Sequence, residues 1–248
     1  MEKVGACDPG LFEKAALHIT SLEDLDEFLP QELSNILLAF SKAGISNPVL
    51  FKKVADHVVA LESLASFHSQ ALSNTLWAFA NVGERHSELF QKVANHVVAL
   101  DDAGGINPQE MSNLLWAFAK CGESHPTLFE KVGDRIVAAN DLGGFSRKDL
   151  SISAWAYATA NISRPLLFKK ISDEVIARRN EREFDSRYVA QLLWSFAAIG
   201  HLDADLFSSL ESAVANRLHE FNGQGVTNVA WAYAVANIDG RNLFDDQS

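Results

Sequence analysis

Apolar positions in residues 109–140 recur with the period of an α-helix. Met111, Leu114, Leu115 and Phe118 fall at i, i+3, i+4 and i+7, one face of a helix we call A. Gly122 closes it, because glycine enters the left-handed conformation without steric cost. Pro126 sits near the start of a second helix, B, where its missing N–H costs little. Leu128, Phe129, Val132 and Ile136 give helix B its apolar face. A loop, 140–144, then leads to Phe145 and the next A helix. No stretch sustains the period-two alternation of a strand.

The same pattern returns along the chain. The tryptophans Trp77, Trp116, Trp155, Trp194 and Trp231 are spaced 39, 39, 39 and 37 residues apart. Phe12, Phe51, Phe90, Phe129, Phe168 and Phe207 keep the 39-residue step. Gly5, Gly44, Gly83, Gly122 and Gly200 share one phase, with Asn161 and Asn237 at matching positions. A third series runs Phe28, Phe67, Ile106, Phe145, Phe184 and Phe221, and a two-residue slip falls between Phe207 and Phe221. Both flanking helices keep their patterns, so the slip reads as a loop deletion. The register predicts A helices near 31–43, 70–82, 109–121, 148–160, 187–199 and 224–236. It predicts B helices near 47–61, 86–100, 125–139, 164–178 and 204–218. The expected fold is all-α: an α-solenoid of stacked helical hairpins, about six repeats of 39 residues, forming one array over 1–248. Its right hand is an expectation from related folds. Partial repeats at 1–22 and 237–248 imply a fragment of a longer array. Small residues at Ala39, Ala78, Ala117, Ala156, Ser195 and Ala232 are expected to let neighbouring helices approach closely.

Helix A has a second face. At 100° per residue, Gln31, Asn35, Leu38 and Lys42 fall within roughly a 60° sector, away from the apolar stripe. Down the array the first position reads Gln31, Gln70, Gln109, Lys148, Arg187, Gln224. The second reads Asn35, Asn74, Asn113, Ile152, Gln191, Asn228. The third is Leu38 and then the tryptophans. The fourth reads Lys42, Asn81, Lys120, Thr159, Ala198, Val235. These 24 positions hold four basic residues and no acid, in a chain of net charge −11. The acids lie in loops (Asp101, Asp102), on helix B (Asp56, Asp134, Asp173) and beside the stripe (Glu32, Glu110).

That chemistry suits nucleic acid. Carboxamides donate and accept at a base edge, tryptophan offers a stacking face, and Lys or Arg reaches phosphate. Structural readings stand beside it. The asparagines are equally placed to bond a neighbouring repeat's backbone, and the tryptophans to wedge between successive A helices. Lys14, Lys53, Lys92, Lys131 and Lys170 recur on helix B and are expected to be solvated, with backbone phosphate as the other reading. His18, His57 and His96 share a phase that then turns to Arg135, Glu174 and Ala213, as surface residues would.

Composition narrows the class further. An apolar content of 48% is that of a globular protein. Two cysteines, Cys7 and Cys121, form no disulfide framework and no zinc spacing. No run of 18 apolar residues exists to span a membrane, and residues 1–5 read as the tail of a helix, not a targeting peptide. No zinc-protease, phosphate-loop or nucleophile-elbow pattern is present, so binding is expected and catalysis and cofactors are not. The negative charge argues against non-specific nucleic-acid binding and favours the main alternative. That alternative is an armadillo- or HEAT-type scaffold holding an extended basic peptide.

The helix A strings are specific: Leu-Ser-Asn-Thr-Leu-Trp-Ala-Phe-Ala (72–80), Met-Ser-Asn-Leu-Leu-Trp-Ala-Phe-Ala (111–119) and Val-Thr-Asn-Val-Ala-Trp-Ala-Tyr-Ala (226–234). With the 39-residue period, the chain resembles octotricopeptide repeats and the related helical repeats of FAST-kinase-like and RAP-domain proteins. The resemblance covers essentially the whole chain. It implies sequence-selective binding of single-stranded RNA in the processing, stability or translation of organellar transcripts, in mitochondrion or chloroplast. The implied partners are single-stranded RNA and other proteins of a ribonucleoprotein complex, with the chain itself a monomer. The RNA-contacting residues would be Gln31, Asn35, Lys42, Gln70, Asn74, Trp77, Gln109, Asn113, Trp116, Lys120, Lys148, Trp155, Arg187, Gln191, Trp194, Gln224, Asn228 and Trp231. No RAP domain is present, so the resemblance implies no nuclease.

Overall fold

The structure, a computed structural model, describes residues 8–100, 105–178 and 184–238. The helix tail expected at 1–5 and nearly all of the partial repeat expected at 237–248 lie outside the described residues, as do Cys7, Asp101 and Asp102. The described residues are all-α, with no strand among them. In chain order the helices are α1 (Pro9–Ser21), α2 (Pro30–Lys42), α3 (Pro48–Ala60), α4 (Ser69–Val82), α5 (Ser87–Ala99) and α6 (Pro108–Cys121). Then follow α7 (Pro126–Ala138), α8 (Arg147–Thr159), α9 (Pro165–Ala177), α10 (Ser186–Ala198), α11 (Ala204–Ala215) and α12 (Gly223–Ala236). Even-numbered helices through α6, and α8, α10 and α12, are the A helices. The odd-numbered helices are B.

The contacts gather into two compact units, Met1–Leu128 and Phe129–Ser248, with the division inside α7. In the first, α2, α4 and α6 lie side by side, and α1, α3 and α5 form the second layer. In the second, α8, α10 and α12 form one layer, and α9 and α11 pair in the other. Within each unit the A helices share far more contact than the B helices do. Small residues explain the close approach: Ala78, Ala117, Ala156, Ser195 and Ala232 are completely buried. Ala39 is exposed instead, because α2 is the first A helix described and no earlier one covers it.

The A helices end as their sequence requires. Gly44, Gly83, Gly122 and Gly200 have φ of 70°, 80°, 68° and 76°, and Asn161 and Asn237 take the same left-handed conformation at 55° and 51°. The two-residue slip is not purely a loop deletion. Helix α11 has 12 residues where the other B helices have 13, and the connection after it, 216–222, is one residue shorter than 61–68.

The two layers are joined by an aromatic ladder. Each B helix sets a phenylalanine edge-on against the aromatic of the next A helix. The pairs are Phe12–Phe40, Phe51–Phe79, Phe90–Phe118, Phe129–Tyr157, Phe168–Phe196 and Phe207–Tyr233, with ring centroids 4.8 to 5.3 Å apart. Where the partner is tyrosine, its buried hydroxyl donates to the B-helix carbonyl: Tyr157 to Phe129 at 2.6 Å and Tyr233 to Phe207 at 2.8 Å. Burial pushes both phenols well above their ordinary pKa, so they remain donors.

The Tyr157 hydroxyl fits only because α7 carries Gly133, where a Cβ would stand 2.8 Å from that oxygen. At the equivalent place α3 and α5 carry Ala55 and Ala94, opposite Phe79 and Phe118. Gly133→Ala is therefore expected to destabilise by about 1–3 kcal/mol despite alanine's better helix propensity. Adding Tyr157→Phe should restore wild-type stability, since it recreates the Ala–Phe pairing of the first unit's repeats. Chemical denaturation of the two variants checks this, and a double variant as weak as the single would refute it.

Candidate nucleic-acid interface

The second face of helix A is a surface in both units. Gln31, Gln70, Gln109, Lys148, Arg187 and Gln224 are all exposed, as are Lys42, Asn81, Lys120, Thr159, Ala198 and Val235. Asn35 is exposed, and Asn74, Asn113, Gln191 and Asn228 are half-buried. Ile152 departs from the series and is buried, between Ser151 and Ser153, whose buried hydroxyls find no partner among the described residues.

The hydrogen bonding separates the two readings of the amides. Among the described residues, the carboxamides of Asn35, Asn74, Asn113 and Asn228 bond no protein group, so they form no ladder between repeats. Those of Gln31, Gln70, Gln109, Gln191 and Gln224 are likewise without a protein partner. Asn81 is the structural exception: its amide donates to the Ser41 carbonyl at 3.2 Å and to Ser41 Oγ at 2.9 Å, on the preceding A helix.

Four of the five tryptophans pair within their units. Trp77 stacks on Trp116 with centroids 5.9 Å apart and planes at 28°, and Trp194 faces Trp231 at 6.5 Å and 34°. Each pair covers its own facing surfaces. Trp77, Trp116 and Trp194 are half-buried, and Trp231 is 43% exposed. Among the described residues of its unit, Trp155 has no ring contact.

The acids beside this face are engaged elsewhere. Glu32 accepts from the backbone N–H of Leu29 at 2.9 Å, Glu110 from that of Asn107 at 2.9 Å, and Asp149 from that of Ser146 at 3.0 Å. Each carboxylate thereby satisfies the amino-terminal end of its own helix. Lys42, Lys120 and Lys148 have no ion pair among the described residues. Arg187 lies 3.6 Å from Asp185 and over the Tyr188 ring, yet its side chain is 71% exposed.

Of the B-helix lysines, Lys14 is exposed as the sequence suggested, but Lys53, Lys92 and Lys170 are not solvated. Lys53 donates to the carbonyls of Thr20 and Leu22, Lys92 to Val59 and Leu61, and Lys170 to Val137 and Ala139. Each ammonium binds the unsatisfied carboxyl-terminal carbonyls of the preceding B helix. The histidines differ as well: His18 is exposed, but His57 and His96 are half-buried. Sequence reasoning missed His86 and His125, which cap α5 and α7. Each accepts a backbone N–H at Nδ1, while Nε2 reaches Asp56 or Asn95 on the preceding B helix at 3.1 Å. Hydrogen bonds from Lys52 and His86 hold the Asp56 carboxyl below its ordinary pKa. Burial pushes the Cys121 thiol up to about 11, which makes it a poor nucleophile at neutral pH. No group of His, Cys, Asp and Glu side chains suited to a metal occurs among the described residues.

Comparison with known proteins agrees with a repeat array. The family model described as RNA-editing substrate-binding complex 6 protein matches twice, over residues 9–142 and 103–246. A search of the curated proteins finds no match to the chain. The two matches overlap and together cover nearly all of the sequence, every A helix of both units included. The chain belongs to the RNA-editing substrate-binding complex 6 protein family.

Proposed function

We propose that this chain binds single-stranded RNA through the A-helix faces of its two units, as a non-catalytic component of an RNA-editing ribonucleoprotein. The observation that carries the reading is the set of unpartnered carboxamides. Surface asparagines at one helical phase, with no protein bond to make, are matched to ligands that offer both donors and acceptors. Unpaired Lys42, Lys120 and Lys148 supply phosphate contacts beside them. The family's name supplies the editing context, and the likeness to octotricopeptide repeats supplies sequence selectivity and an organellar setting. The net charge of −11 favours a basic peptide instead, but the carboxylates closest to the A faces are bound to helix amino-terminal ends.

Filter binding of the chain to single-stranded RNA, duplex DNA and a basic peptide decides between these partners. Retention of single-stranded RNA over duplex DNA, falling steeply with salt, is the expected result. Tight peptide binding with no RNA retained at low salt would overturn the proposal.

A further inference from the structure

A cavity of about 220 Å³ opens on the A face of the first unit, between the first turns of α2 and α4. It lies below the roughly 300–1,000 Å³ of pockets that enclose drug-sized ligands, so its occupant is a single small ring system. Four carboxamides line it, Gln31 and Asn35 from α2 and Gln70 and Asn74 from α4. None of the four has a protein partner among the described residues. Leu29 and Ala71 add apolar surface, and Leu29 is 63% exposed there. Among the described residues, no lysine, arginine or carboxylate lines the cavity, and His68 is its one ionisable group.

This lining selects by chemistry. A phosphate finds no cation in it, and a lysine or arginine side chain finds no anion. A flat neutral ring with a donor and an acceptor on one edge satisfies a carboxamide bidentately, as adenine does through N6 and N7. Guanine presents two acceptors on the same edge and pairs best with arginine or lysine, neither of which is here. Trp77, three residues beyond Asn74 on the same helical face, stands where the neighbouring base would pass.

We propose that the α2–α4 cavity is an adenine-selective subsite, which takes one adenine of a bound RNA strand against Asn35 and Asn74. The inference rests on the single-stranded RNA reading above. The test uses the full chain and fluorescence anisotropy with three twelve-nucleotide RNAs: all uridine, uridine with one central adenosine, and the same with 7-deazaadenosine. The adenosine should tighten binding by about tenfold over all-uridine, within the range of a good bidentate base contact. The 7-deaza substitution, which removes the N7 acceptor, should return affinity to the all-uridine level. Asn35→Ala with Asn74→Ala should abolish the gain from adenosine, so that the variant binds the all-uridine and adenosine RNAs equally, with the melting temperature unchanged. Equal affinity for all three RNAs, or a preference that survives the double substitution, overturns the subsite and leaves RNA binding standing. Failure of every RNA to bind overturns the RNA reading itself, and the subsite with it.

Discussion

Replacing Lys42, Lys120, Lys148 and Arg187 together by alanine is expected to lower single-stranded RNA affinity by roughly 10²–10³-fold at 0.1 M salt. The estimate follows from counterion release, about 0.7 of a unit of log–log salt slope for each phosphate neutralised on a single strand. Four contacts account for nearly 3 units, so the variant's salt dependence should be visibly flatter. The loss should be similar for every RNA sequence, because phosphate contacts carry no base information. Stability should hardly change. Three of the side chains have no ion pair among the described residues and the fourth is 71% exposed, so only a small helix-dipole contribution from Lys42 and Lys120 is removed. An unchanged salt slope would place the RNA elsewhere on the molecule.

Phe118→Ala is expected to have the largest effect on folding. Phe118 is completely buried, meets Phe90 edge-on at 5.1 Å and lies against His125, which caps α7. Truncating such a ring costs about 3–5 kcal/mol, the transfer of the lost atoms plus the cavity left behind. In a repeat stack the damage is local before it is global, because each repeat is held mainly by its neighbours. Tryptophan fluorescence during denaturant unfolding, dominated in that region by the nearby Trp77–Trp116 stack, should show an early transition absent from the wild type. A single unshifted transition would show that the ladder contributes little.

The helices were legible in the sequence because periodicity reports local geometry. The A helices begin within one residue of the register set by the tryptophans, and the left-handed Gly and Asn ends fall where the shared phase places them. Core residues such as Leu115, Phe118, Phe129 and Ile136 follow from the same stripes. The A-face positions were legible too, since Gln and Asn each return at one phase in four of six repeats and Trp in five. What sequence hid depends on how far apart successive hairpins sit. Lys53 looks like a solvated lysine until its acceptors, Thr20 and Leu22, are brought to it from 33 and 31 residues earlier. The fit of Tyr157 to Gly133 spans two helices and depends on a glycine where the neighbouring repeats carry Ala94 and Ser172, which no periodicity displays. Ser153 occupies a phase held by Leu114 and Leu192, so the buried, unpartnered hydroxyl contradicts the pattern around it. The cavity between α2 and α4 belongs to neither helix alone.

The unequal packing of the two layers gives each unit a mechanical asymmetry. Alanine-lined contacts lock the A helices at near-minimal separation, and a layer already at close-packed density resists both stretching and compression. The B helices touch their neighbours sparingly, through long side chains such as Lys53 and Lys92 that can pivot. Bending a unit therefore changes the spacing of the B layer and leaves that of the A layer almost untouched. The amides and tryptophans on the A helices keep a constant pitch while the body behind them flexes, as the graduations of a ruler keep their spacing when it is bowed about its printed face. An RNA strand bound as proposed on that face would stay in register through thermal motion, while the compliant B side absorbs the strain.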